Sequence, residues 1–90
     1  MLSDRAVYDI DQALIWYGSI DYEFDLKFLQ DVDTLMRLLS NYPELYPTIY
    51  DEIRRVNLRN FPYCVLYQII ENKIVILSAP HSRSDYMSNL

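Results

Sequence analysis

Val7, Ile10, Leu14 and Tyr17 recur at spacings of three and four residues, with Ala6 and Ala13 beside them. On a 3.6-residue period they form one apolar stripe, which predicts a first helix. Ser3 or Asp4 supplies its N-cap, Asp9 and Asp11 fall off the stripe, and Gly18, the only glycine, marks its end. A second stripe, Phe24, Phe28, Val32, Leu35 and Leu39, predicts a second helix over residues 22–40. Asp21, Glu23 and Asp25 stand near its start, where acids favour the helix dipole. Pro43 and Pro47 then break the helical run. The short link between the two stripes predicts an antiparallel helical hairpin.

From Ile49 onward the period changes to two. Tyr50, Glu52, Arg54, Val56 and Leu58 share one face of an extended segment, and Ile53, Arg55 and Asn57 the other, which predicts one strand over residues 49–58. Residues 63–70 (YCVLYQII) and 74–79 (IVILSA) are β-branched and aromatic and flank Glu71, Asn72 and Lys73, the pattern of a β-hairpin. Pro80 ends the last strand. Helices followed by strands predict an α+β fold in one domain spanning residues 1–90. A two-helix hairpin packs on one face of a small antiparallel sheet of about three strands.

Composition narrows the class. Half of the 90 residues are hydrophobic (51%), which excludes a disordered chain. One cysteine, Cys64, excludes an internal disulfide, and one histidine, His81, leaves no zinc-ligand spacing, so neither metal nor cofactor is expected. No apolar run approaches the ~20 residues of a membrane span, and Asp4 and Arg5 sit where a signal peptide would be apolar. A cytoplasmic protein with no membrane partner is expected. The net charge of −5 is unevenly placed: residues 1–52 carry eleven acids and three bases, residues 53–90 two acids and five bases. A basic face can therefore exist on an acidic protein.

Several segments, taken in order, resemble the RelE/ParE toxin superfamily of plasmid stabilisation proteins. They are AVYDIDQALIWY at 6–17, Asn41-Tyr42-Pro43 with Tyr46-Pro47, Ile53-Arg54-Arg55, and Phe61-Pro62-Tyr63 with Val65-Leu66-Tyr67. Ile74-Val75-Ile76-Leu77 with His81, Arg83 and Asp85 completes the set. The resemblance covers nearly the whole chain. It implies the toxin of a type II toxin–antitoxin module, with a small antitoxin whose C-terminal segment wraps the toxin. It implies one of two targets: mRNA, cut in the ribosomal A site, or DNA gyrase, which ParE-like members poison. Two departures stand out. Family members open with an apolar strand, whereas only Met1 and Leu2 precede Ser3 here. The first strand is therefore expected to be missing, leaving a sheet edge for an antitoxin segment or a second copy of the chain in a homodimer. Ribonuclease members carry a functional arginine where this chain has Cys64. Both departures also fit an alternative, a non-toxic relative retained as a protein-binding module.

If the chain is a RelE-type endoribonuclease, it needs cations for the pentavalent phosphate and groups that move protons to and from the reacting oxygens. Arginine suits the phosphate through its parallel donors. Arg55 and Arg83 are candidates for the catalytic set, and Arg54 and Arg59 for phosphate binding. Arg54 and Arg55, adjacent in a strand, face opposite ways. Histidine is the side chain type best suited to acid–base work near neutrality, which makes His81 a candidate, and Tyr86 could stack on a base or donate a proton. Each has a competing structural reading: arginines paired with the many acids, a histidine packed at a strand end, a tyrosine covering the core. Tyr63 and Tyr67 share a strand face and belong to the core, Cys64 is expected to be a buried inert thiol, and both helical stripes are core.

Overall fold

The computed structural model describes residues 1–83. Helix α1 spans Asp4–Ile20 and α2 Phe24–Asn41, followed by strands β1 (Thr48–Tyr50), β2 (Ile53–Asn57), β3 (Cys64–Ile70) and β4 (Lys73–Ser78). The predicted α+β class holds. The Ser3 hydroxyl caps α1 by accepting from the Ala6 N–H (3.1 Å) and also donates to the Leu77 carbonyl (2.7 Å), tying the helix start to the last strand. Gly18 does not end the helix, which runs on to Ile20. No glycine adopts the left-handed backbone that makes glycine a helix stop. Instead Asp21 turns the chain out by becoming extended while its N–H still donates to the Tyr17 carbonyl.

The strand predicted over residues 49–58 is in fact a hairpin. Asp51, at φ 52°, and Glu52 reverse the chain so that Tyr50 faces Ile53. A short polar side chain tolerates that left-handed backbone. Both faces of this stretch mix polar and apolar residues, so its alternation carried no mark of the reversal. The second hairpin turns at Glu71 and Asn72, both at positive φ (50° and 65°), which suits the twist of the strands it joins. The sheet therefore has four strands rather than about three, antiparallel throughout, in the order β1-β2-β3-β4.

As expected, no strand precedes α1, but the edge of β4 is not left open near Ile76. Leu2 bridges Ile76 in parallel. The Ile76 N–H donates to the Met1 carbonyl (2.8 Å), the Ser3 N–H to the Ile76 carbonyl (2.9 Å) and the Met1 ammonium to the Ile74 carbonyl (3.0 Å). Residues 1–3 are too few to read as a strand, yet they satisfy the outer backbone groups of β4 near Ile76.

The helices cover one face of the sheet. Ala6, Ile10 and Ala13 of α1, Phe28, Leu35 and Leu39 of α2, and Val56, Val65, Tyr67 and Ile76 of the sheet form the buried core. Phe28 sits amid an aromatic cluster, with the rings of Tyr17, Phe61 and Tyr63 at 5.6, 5.3 and 5.3 Å. The Tyr67 hydroxyl, buried with its ring, donates to the Pro43 carbonyl (2.9 Å) and holds the loop after α2. Two carboxylates act as clasps between layers. Asp9 accepts from the Ala79 N–H (3.0 Å) and pairs with Arg5 (3.1 Å). Buried Asp31 accepts from both the backbone N–H (2.9 Å) and the side-chain amide (3.1 Å) of Asn60. Among the described residues no helix is long and apolar enough to cross a membrane.

Candidate functional site

Of the six residues singled out for phosphate or proton chemistry, the five that the structure describes fall in four places. Arg54 lies on the helix-covered face of β2, opposite Tyr67, and its guanidinium donates to the Tyr46 carbonyl. It anchors the loop after α2. Arg55 lies on the other face, opposite Leu66, and neighbours Cys64. Arg59 stands in the connection between β2 and β3, facing α2 across a cleft. His81 continues the sheet beyond β4 as a bridge to Tyr63. The two rings meet edge to face at 5.2 Å, and the imidazole Nδ1 accepts from the Arg83 N–H (3.2 Å). His81 thus shares a shallow cleft of about 230 Å³ with Arg5, Asp9, Gln12 and Tyr63, at the start of α1. Among the described candidates only His81 and Arg83 come together, and that contact is made by the Arg83 backbone. Tyr86 lies outside the described residues.

Distance explains the separation. Arg54 sits opposite Tyr67 and His81 opposite Tyr63. Four residues of extended chain lie between those positions, or about 13 Å. Arg55 is on the other side of the sheet altogether. Among the described residues, no three His, Cys, Asp or Glu side chains gather as a metal-ligating group.

Cys64 is fully buried. Burial pushes its thiol above the usual 9.0, against the lowering influence of the adjacent Arg55 guanidinium. Burial likewise raises the hydroxyls of Tyr17, Tyr63 and Tyr67 above their usual 10.0. All four groups are neutral when protonated, so the unfolded chain ionises first as pH rises. Their contribution to stability is intact below the unfolded values and is lost as pH climbs through them toward the folded ones. The urea midpoint is therefore expected to hold steady at neutral pH and to fall above about pH 9. Cys64→Ala should remove the earliest part of that fall. A midpoint independent of pH up to about 10.5 would refute this account.

A different surface stands out for its chemistry. Tyr8, Ile15 and Trp16, seven and eight residues along from the first, lie on one exposed side of α1, and Ile20 extends this apolar surface at the helix end. Ile15 is 66% and Trp16 60% exposed. Asp4 and Asp11, also exposed, border this second stripe. Large apolar side chains grouped in water on a regular element are the usual mark of a protein-docking surface. The first stripe accounts for only part of the apolar content of α1. Ile15, Trp16 and Ile20 were the available signal, because α1 carries more large apolar residues than one face can bury. Val7, assigned to the core stripe, is itself 42% exposed at the margin.

The chain matches, over residues 1–86, the family model described as the ParE toxin of the type II toxin–antitoxin system parDE. Among solved structures it is similar to one titled "Chromosomal ParDE TA system from P. aeruginosa". The TM-score is 0.78 at 20% identity, over 89% of this chain and 90% of that one. At that identity the likeness is one of fold. No sequence among curated proteins matches it.

Proposed function

We propose, from the premise that this chain belongs to the ParE toxin family of type II toxin–antitoxin systems within the RelE/ParE superfamily, that it acts through protein contact. Its target on this reading is DNA gyrase rather than mRNA, and a small antitoxin neutralises it. The observation that carries the reading is the fate of the arginines. Phosphoryl chemistry on RNA needs cations and a proton carrier converging on one phosphate. Here Arg54 is held by the Tyr46 carbonyl, Arg55 lies on the opposite face of the sheet, and His81 packs on Tyr63 beside α1.

The exposed stripe of Tyr8, Ile15, Trp16 and Ile20 supports a role in binding proteins. It fits the apolar face of an amphipathic antitoxin segment, with basic residues placed to meet Asp4 and Asp11. At Ile76 the outer edge of β4 is paired with residues 1–3, which favours the helical stripe over that edge as the antitoxin's docking surface.

Supercoiling by purified gyrase, measured beside cell-free translation with mapping of mRNA 5′ ends, tests the proposal. Inhibited supercoiling with intact mRNA is the expected result. New mRNA ends within ribosome-occupied codons, lost in Arg83→Ala or His81→Ala, would replace it with the nuclease reading. Normal supercoiling with intact mRNA would leave the chain a non-toxic binding module.

A further inference from the structure

The protein carries eight lysines and arginines. Arg5 and Arg37 are paired with Asp9 and Asp33, Arg54 is held by a backbone carbonyl and Arg55 adjoins Cys64. Lys73 opens β4 and Arg83 follows His81 beyond it, each on its own. Lys27 and Arg59 differ. They come from separate elements, α2 and the β2–β3 connection, and face one cleft of about 540 Å³. The rings of Phe24 and Phe61 form its apolar walls. The Lys27 ammonium stands 5.6 Å from the centre of the Phe24 ring, so charge and aromatic surface lie side by side.

Asp31 sets the charge of this cleft. Its carboxylate also lines the space, but both its oxygens are taken up by the backbone and side chain of Asn60. It clasps the β2–β3 connection to α2 and so holds Arg59 opposite Lys27. Two cations against one carboxylate leave a single positive charge. A dianion would be undercompensated there, and a neutral apolar group would leave both cations without a partner. The matching ligand is a monoanion attached to an apolar body.

We infer that the cleft between α2 and the β2–β3 connection is a recognition pocket for a protein partner, taking a carboxylate side chain that neighbours an aromatic residue. Lys27 and Arg59 engage the carboxylate, and Phe24 and Phe61 take the aromatic ring. Charge complementarity identifies the occupant: on a protein of net charge −5 this is a locally cationic cleft, suited to an acidic segment that the rest of the surface repels. The inference does not depend on whether gyrase or mRNA is the target. It also concerns a surface separate from the Trp16 stripe, which borders acids instead.

Amide chemical shifts of the ¹⁵N-labelled protein, titrated with N-acetyl-L-phenylalanine at neutral pH, test it. This probe carries one carboxylate and one aromatic ring. Saturable shifts at Asn60, Phe61 and the amides of residues 27–34 are expected, with a dissociation constant on the order of millimolar for so small a ligand. The paired substitution Lys27→Met and Arg59→Met, both at exposed side chains, should weaken binding roughly tenfold, the scale of a lost charge-assisted contact. The dispersion of its spectrum reports whether the variant is folded. N-acetyl-L-phenylalaninamide, which lacks the charge, should bind as weakly to the parent protein. Equal shifts from the neutral amide, unchanged binding in the folded double variant, or absence of saturable shifts would each overturn the inference. Equally tight binding of inorganic phosphate at the same amides would also overturn it, because the aromatic walls would then contribute nothing.

Discussion

Phe28→Ala is expected to lower the stability of the fold by about 3–5 kcal/mol, measured as the change in unfolding free energy in urea. Phe28 is 0% exposed, so its whole ring leaves water on folding. Removing the ring costs that transfer energy and opens a cavity against Tyr17, Phe61 and Tyr63, which pack on it from α1 and from the segment leading into β3. Those rings cannot collapse into the space freely. Tyr63 is held in a bridge to His81, and Phe61 adjoins Asn60, which Asp31 clasps to α2. Small domains have a total stability of about 5–15 kcal/mol, so the variant should be partly unfolded at physiological temperature. A loss below about 1 kcal/mol would mean that the cluster repacks and that Phe28 is not its keystone.

Trp16→Glu should leave the fold intact and weaken antitoxin binding. The Trp16 ring is 60% exposed, and glutamate is a good helix former, so the melting temperature should change little. A buried tryptophan at the centre of an interface commonly contributes 2 kcal/mol or more, so the dissociation constant for the cognate antitoxin should rise by roughly 30-fold or more, read by calorimetry. The glutamate also sets a charge where the partner presents an apolar face, and desolvating that charge acts in the same direction. Unchanged affinity with an unchanged melting temperature would place the antitoxin on another surface and remove the main support for the role given to this stripe.

The two variants act on opposite sides of the same hairpin. Phe28 binds the helices to the sheet, and Trp16 faces outward from it. Phe28 falls on the apolar stripe of α2, whereas Trp16 falls off that of α1. What separates them is which side of each helix meets the sheet. Ala6 and Ala13, at 0% and 2% exposure, line the side of α1 that faces the core. The eight-residue interval from Tyr8 to Trp16 then turns the larger residues outward. The same lesson applies to the charged residues. Asp9 and Asp31 read as solvated helix acids, and in the folded protein each accepts from a backbone N–H of a distant segment.

The order of helices and strands, the Glu71–Asn72 hairpin and the family resemblance were all present in the sequence, because they rest on local spacing and turn chemistry. Core positions such as Phe28, Leu35, Leu39 and Tyr67 followed from the same periodicity. The reversal at Asp51 and the pairing of residues 1–3 with β4 were decided by backbone hydrogen bonding across the sheet, which leaves no period in three residues of chain. The candidate site was decided only in three dimensions as well. Lys27 and Arg59 are far apart in sequence but share one cleft, and His81 meets Tyr63 and the start of α1 rather than the arginines of β2. Side-chain direction and the long-range packing of α2 against the β2–β3 connection set those relations, and neither is encoded in residue spacing along a single element.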